Sequence, residues 1–151
     1  MPANDDCVNP GTAARKSRLL IVDDDDNLRK LLVATFSGAA YEIHEACDGA
    51  DALRLAVQLR PDVVLLDVML PGELDGLEVC RRVKARADMK ETCIILLTAL
   101  GQKRDLERGE LAGANAYFVK PFSPFRLLEL VDAIMAHSYR TDTGKERENA
   151  E

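Results

Sequence analysis

The chain alternates between short apolar runs and longer stretches of helical spacing. Residues 19–22, 63–66 and 94–97 are four-residue runs of Leu, Ile and Val. Unbroken apolar character over so short a span predicts strands buried on both faces, as in a parallel sheet. Residues 41–46 alternate apolar and polar side chains and predict an edge strand, and 116–119 form a fifth candidate. Between the runs, Leu28, Leu31, Leu32 and Phe36 fall on one helical stripe after an aspartate-rich start. Ala52, Leu55, Ala56 and Leu59 form a second stripe that stops before Pro61, and Leu77, Cys80 and Val83 form a third, opened by Asp75-Gly76. Residues 102–112 are more polar and only weakly periodic. A last helix opens with Ser123 as N-cap and Pro124 in the first turn, then Leu127, Leu130, Val131 and Ile134.

Five strand–helix units with right-handed crossovers predict an α/β fold, a doubly wound parallel (βα)5 sheet of the flavodoxin-like order 2-1-3-4-5. A closed barrel would need eight units. The first and third helices are expected on the same face, with the loops above them framing a pocket at the switch point.

Length and charge narrow the class. The 151 residues suit one domain, read as 18–137, with a flexible N-terminal segment 1–17 and a flexible C-terminal tail or linker 138–151. Acidic residues outnumber basic ones 26 to 20, for a net charge of −6, which argues against direct nucleic-acid binding through phosphate contacts. No apolar run approaches the ~20 residues of a membrane span, and the first 18 residues lack the apolar segment of a secretory signal, so a cytoplasmic protein with no membrane role is expected. Cys7, Cys47, Cys80 and Cys93 stand singly, and the last three, in apolar stretches, read as reduced, buried thiols. His44 and His137 have no companion at ligand spacing.

Polar residues gather where the strands end. Asp23, Asp24, Asp25 and Asp26 follow the first strand, Asp67 the third, Thr98 the fourth and Lys120 the fifth. Ligands of open α/β sheets bind at this rim. Converging carboxylates of Asp23, Asp24 and Asp67 would repel one another, and a hard divalent cation such as Mg2+ relieves the repulsion. Lys120 and Thr98 offer a charge and a hydroxyl donor for a phosphoryl group beside the metal, and one carboxylate is left to act as nucleophile.

The segments LLIVDDDDNLRKLL, VVLLDVMLPGELDGLEVC, IILLTAL and GANAYFVKPF, in this order, resemble the receiver domain of two-component response regulators. The resemblance covers residues 18–137. It implies Asp67 as phosphoacceptor, Asp24 as main metal ligand, Asp23 as a second acid acting through water, and the Met69 carbonyl completing the Mg2+ shell. Thr98 and Lys120 would contact the phosphoryl oxygens, with a cis bond at Lys120–Pro121, and Tyr117 would switch inward with Thr98. It further implies a histidine kinase or histidine phosphotransfer protein as donor. The output would be a helix 4–strand 5–helix 5 surface that dimerises or docks on a downstream protein. Apolar Met69 and Leu100, two residues beyond Asp67 and Thr98, imply a phosphoryl group that survives for minutes or more. The loop departs from the common pattern by one residue at Gly72-Glu73-Leu74.

Competing readings are a receiver cut from a larger hybrid kinase or effector-bearing regulator, and a haloacid-dehalogenase-type phosphatase. For the phosphatase, Asp23/Asp25 or Asp24/Asp26 would imitate the catalytic pair, but the Thr or Val that should follow is missing. An EF-hand fails because Leu28 and Ala34 stand where Gly and Glu are needed, and no glycine-rich nucleotide loop follows the first strand. Four aspartates in a row could also be only a solvated helix start. Phe125, Leu128 and Met135 widen the apolar edge of the last helix, as a partner contact or as a broad core face.

Overall fold

The computed structural model describes residues 16–38, 40–99 and 103–136. Cys7, Leu100, His137 and the stretches 1–15 and 138–151 lie outside the described residues. Five parallel strands, β1 (Ser17–Val22), β2 (Tyr41–Ala46), β3 (Val63–Asp67), β4 (Cys93–Thr98) and β5 (Ala116–Val119), form one sheet in the order β2-β1-β3-β4-β5. The helices are α1 (Asp26–Ser37), α2 (Gly49–Leu59), α3 (Gly76–Ala85), α4 (Lys103–Leu111) and α5 (124–136), with a 3-10 turn at Ala87–Met89.

The two faces of the sheet build two cores. Leu19, Ile21, Val63, Leu65, Ile95 and Leu97 pack against Leu32 and Phe36 of α1 and Leu127 and Val131 of α5. Leu20, Val22, Val64, Leu66, Ile94 and Leu96 pack against Ala52 and Ala56 of α2, Leu77, Cys80 and Val83 of α3, and Ala112. Alternate residues of each central strand thus feed opposite cores, which is why those strands read as continuous apolar runs. The expectation that the first and third helices share a face fails. A right-handed crossover from β1 out to β2 puts α1 on one face; the return past β1 to β3 and onward to β5 puts α2, α3 and α4 on the other.

Helix starts follow the aspartates. The Asp25 carboxylate caps α1 by accepting from Asn27 N and Leu28 N, Asp48 caps α2 through Asp51 N, and Asp75 caps α3 through Glu78 N. Ser123 caps α5, its Oγ accepting from Arg126 N at 3.3 Å. Cys80 and Cys93 are buried as expected, and burial pushes the Cys80 thiol up to about 11. Cys47 is exposed, because it lies one residue past the end of β2 where the chain leaves the sheet.

Candidate functional site

The parallel register brings the polar residues to one edge. Val22 pairs with Leu66, so Asp23 and Asp67 continue adjacent strands by one step. Asp67 pairs with Leu97, placing Thr98 one step further, and Thr98 pairs with Val119, which precedes Lys120. Both Asp23 and Asp67 are buried, with relative exposures of 0% and 4%.

Lys120 Nζ lies between these two carboxylates, 3.0 Å from Asp23 Oδ2 and 3.2 Å from Asp67 Oδ2. The remaining oxygens are held by backbone: Asp25 N donates to Asp23 Oδ1 at 2.9 Å and Met69 N to Asp67 Oδ1 at 3.1 Å. Burial first, and then the negative charge of Asp23, push the Asp67 carboxyl above its usual range, against the opposing Met69 N–H and Lys120. For Lys120, burial works against the ammonium, but its hydrogen bond to Asp23 and the two carboxylate charges win and hold it above the ordinary lysine value. The Lys120–Pro121 bond is cis, and Lys120 N donates to the Thr98 carbonyl at 2.7 Å, tying β5 to β4 beside the site.

Asp24 is exposed, yet one carboxylate oxygen from each of Asp23, Asp24 and Asp67 falls within 4.8 Å of the others. Three hard oxygen donors around a shared point, two of them buried and served by a single lysine, fit a divalent cation of the Ca2+ or Mg2+ type. Met69 enters the site through its N–H, and the residue is otherwise exposed.

Thr98 and Tyr117 line a cavity of about 90 Å³ behind the loop, together with Val68, Met69, Asp75 and Leu106. The Tyr117 ring lies against α4, and its hydroxyl donates to the Leu106 carbonyl at 2.8 Å. Contact is close because position 109 is glycine: a β-carbon there would sit 2.8 Å from Tyr117 Cε1 and 3.0 Å from Leu96 Cδ1.

The longer loop at Gly72-Glu73-Leu74 is pinned at its far end. The Leu74 carbonyl rests on Gly49 at the head of α2, where a β-carbon would collide with it, and the Leu74 side chain packs on the core. Gly72 takes a φ of +92° that favours glycine.

The four aspartates of the first loop divide their tasks. Asp23 and Asp24 belong to the site, whereas Asp25 caps α1 and Asp26 stands in its first turn. Arg29 escaped notice in the sequence. Its Nη1 donates to the Asp23 carbonyl at 2.7 Å, Nη2 to Asp26 Oδ1 at 2.6 Å and Nε to Glu45 Oε1 at 3.0 Å. The available signal was a cation four residues into a helix, where the macrodipole disfavours one.

Comparison with known proteins decides the family. The family model described as the response regulator receiver domain matches residues 19–132. The chain belongs to the response regulator receiver domain family. It is 38% identical over 123 residues to RpaA, the DNA-binding dual master transcriptional regulator of Synechocystis, covering 82% of this chain and 51% of RpaA. It is 39% identical over 125 residues to the transcriptional regulatory protein SrrA of Staphylococcus aureus, covering 83% of this chain and 50% of SrrA. The receiver chain therefore spans about half the length of these curated relatives. Among solved structures it is similar to the chemotaxis protein CheY4 of Vibrio cholerae, with 33% identity, a TM-score of 0.73, and coverage of 78% of this chain and 98% of that one. The receiver fold, with its five parallel strands, is thus shared over nearly all of that protein. Among the described residues no helix is long and apolar enough to cross a membrane.

Proposed function

We propose that this receiver accepts a phosphoryl group on Asp67 from a histidine kinase or histidine phosphotransfer protein. The observation that carries the reading is the lysine shared by two buried carboxylates, Lys120 between Asp23 and Asp67. An Asp67 oxygen attacks phosphorus in line, the bond from phosphorus to the donor nitrogen breaks, and an acyl phosphate remains. Asp23, Asp24, Asp67 and the Met69 carbonyl would hold Mg2+, which when bound neutralises charge on the carboxylates and the phosphoryl oxygens. Lys120 and the Thr98 hydroxyl then contact the phosphoryl oxygens. The domain acts as a signalling acceptor in the cytoplasm and not as an enzyme with a separate substrate.

The output follows from the cavity between Thr98 and Tyr117. As Thr98 turns to the phosphoryl group, Tyr117 gives up Leu106 and moves inward, which reshapes the surface of α4, β5 and α5. Leu111, Val119 and Phe125 are large apolar side chains exposed on those three elements, which supports that surface as the place of self-dimerisation or of docking on a downstream protein. Leu128 and Met135 pack against the core and belong to it.

A second reading has its own support. RpaA and SrrA, which this chain matches over about half of their length, favour a receiver that works within a longer regulator.

Incubation with radiolabelled acetyl phosphate and Mg2+ tests the acceptor. The wild type should take up label to about one phosphoryl group per chain, and Asp67→Asn should take up none. Stoichiometric labelling of Asp67→Asn rejects the assignment.

A further inference from the structure

Arg29 is the fourth residue of α1, and its side chain is only 15% exposed. Its guanidinium serves three acceptors on three segments: the Asp23 carbonyl after β1, the Asp26 carboxylate in α1 and the Glu45 carboxylate on β2. The planar five-donor fork suits such divergent acceptors, which a lysine could not serve together.

The Asp23 carbonyl belongs to the peptide that joins Asp23 to Asp24. A peptide unit is planar, so holding its oxygen fixes the direction in which the chain reaches the Asp24 Cα. The Asp23 and Asp67 side chains have their own anchors in Asp25 N, Met69 N and Lys120. The Asp24 carboxylate is exposed, so the direction in which its backbone presents it governs whether it reaches the other two carboxylates.

We infer that Arg29 is a positioning residue: through the Asp23 carbonyl it sets Asp24 for the divalent cation, with Glu45 and Asp26 as its anchors. The inference rests on the phosphoacceptor reading above for the presence of Mg2+ at this site. Charge and position make opposite forecasts. A guanidinium near the cluster repels a cation, so removing it on electrostatic grounds alone would tighten binding. Removing a group that orients a ligand weakens binding.

Calorimetric titration of the whole chain with MgCl2, beside thermal melts in EDTA, separates the two. Arg29→Met should weaken Mg2+ binding about tenfold, and Arg29→Lys should weaken it although the charge stays. In an Asp24→Asn background, adding Arg29→Met should change the affinity by less than about twofold, because the ligand it positions is already gone. Unchanged or tighter binding by both Arg29 variants overturns the inference, and so does a full further loss in the Asp24→Asn background. If Arg29→Met does not fold, Arg29→Lys decides by the same criterion. Wild-type protein that neither binds Mg2+ nor labels at Asp67 overturns the phosphoacceptor reading and this inference together. Wild-type protein that does both, beside Arg29 variants with wild-type affinity, overturns this inference alone.

Discussion

Gly76, the first residue of α3, lies against the backbone carbonyl of Asp67, so that a β-carbon at position 76 would collide with that oxygen and crowd Val68 Cα. The contact is backbone on backbone, with no side chain able to yield, and Gly76 N also donates to the Val68 carbonyl at 2.9 Å. Gly76→Ala should therefore cost about 1–3 kcal/mol and displace the peptide that follows Asp67. Urea unfolding measures the first effect, and the rate of labelling by acetyl phosphate, which should fall, measures the second. A variant with wild-type stability and labelling contradicts the prediction.

Asp23 and Asp67 place two buried carboxylates around one lysine. Asp67→Asn removes the surplus charge and leaves Lys120 paired with Asp23. Without divalent cations the variant should be more stable by about 1–2 kcal/mol, a rise of several degrees in melting temperature. Melts in EDTA check this, and a lower melting temperature than wild type speaks against it.

Gly109 carries the opposite expectation from an ordinary helix glycine. Alanine in a helix interior is favoured by about 1 kcal/mol over glycine. Here the added carbon would press on Tyr117 and Leu96, and the ring has the cavity beside Thr98 into which to move. Gly109→Ala should forgo the usual gain and break the Tyr117–Leu106 hydrogen bond, seen by NMR as new contacts between Tyr117 and Thr98. A gain of the full amount with the Tyr117 resonances unmoved is the contrary result.

Tyr41 ties β2 to α5, its hydroxyl donating to Asp132 Oδ1 at 2.7 Å. Burial first, and then Asp132, raise the Tyr41 pKa. A raised pKa means that the folded state favours the protonated phenol. Its stabilising contribution is thus whole below about pH 10, the unfolded value, and fades as the pH climbs beyond it. Tyr41→Phe should cost about 1–2 kcal/mol near neutral pH and flatten the loss of stability in alkali. Urea melts from about pH 8 to about pH 11 give both quantities. Equal steepness in the two proteins refutes the assignment.

Residues 41–46 and 116–119 were legible to the residue, because side-chain pattern and strand coincide there. The three central strands run further than their apolar runs. Ser17 and Arg18 pair with Tyr41 and Glu42, and Asp67 and Thr98 end β3 and β4. Ladder hydrogen bonds are made by backbone, so a polar side chain does not end a strand. The edge that gathers Asp23, Asp67, Thr98 and Lys120 was legible because strand order and strand ends fix it. The 3-10 turn at Ala87–Met89 carries no periodic signal in so short a stretch. The parts played by Arg29, Gly76 and Gly109 were not legible either, since each depends on how closely two distant segments approach, which spacing along the chain does not encode.

The extra residue in the loop after β3 is moored, since the carbonyl of Leu74 sits on the bare α-carbon of Gly49. At this point the loop and the head of α2 meet backbone to backbone, so any side chain larger than hydrogen at position 49 would drive the two apart.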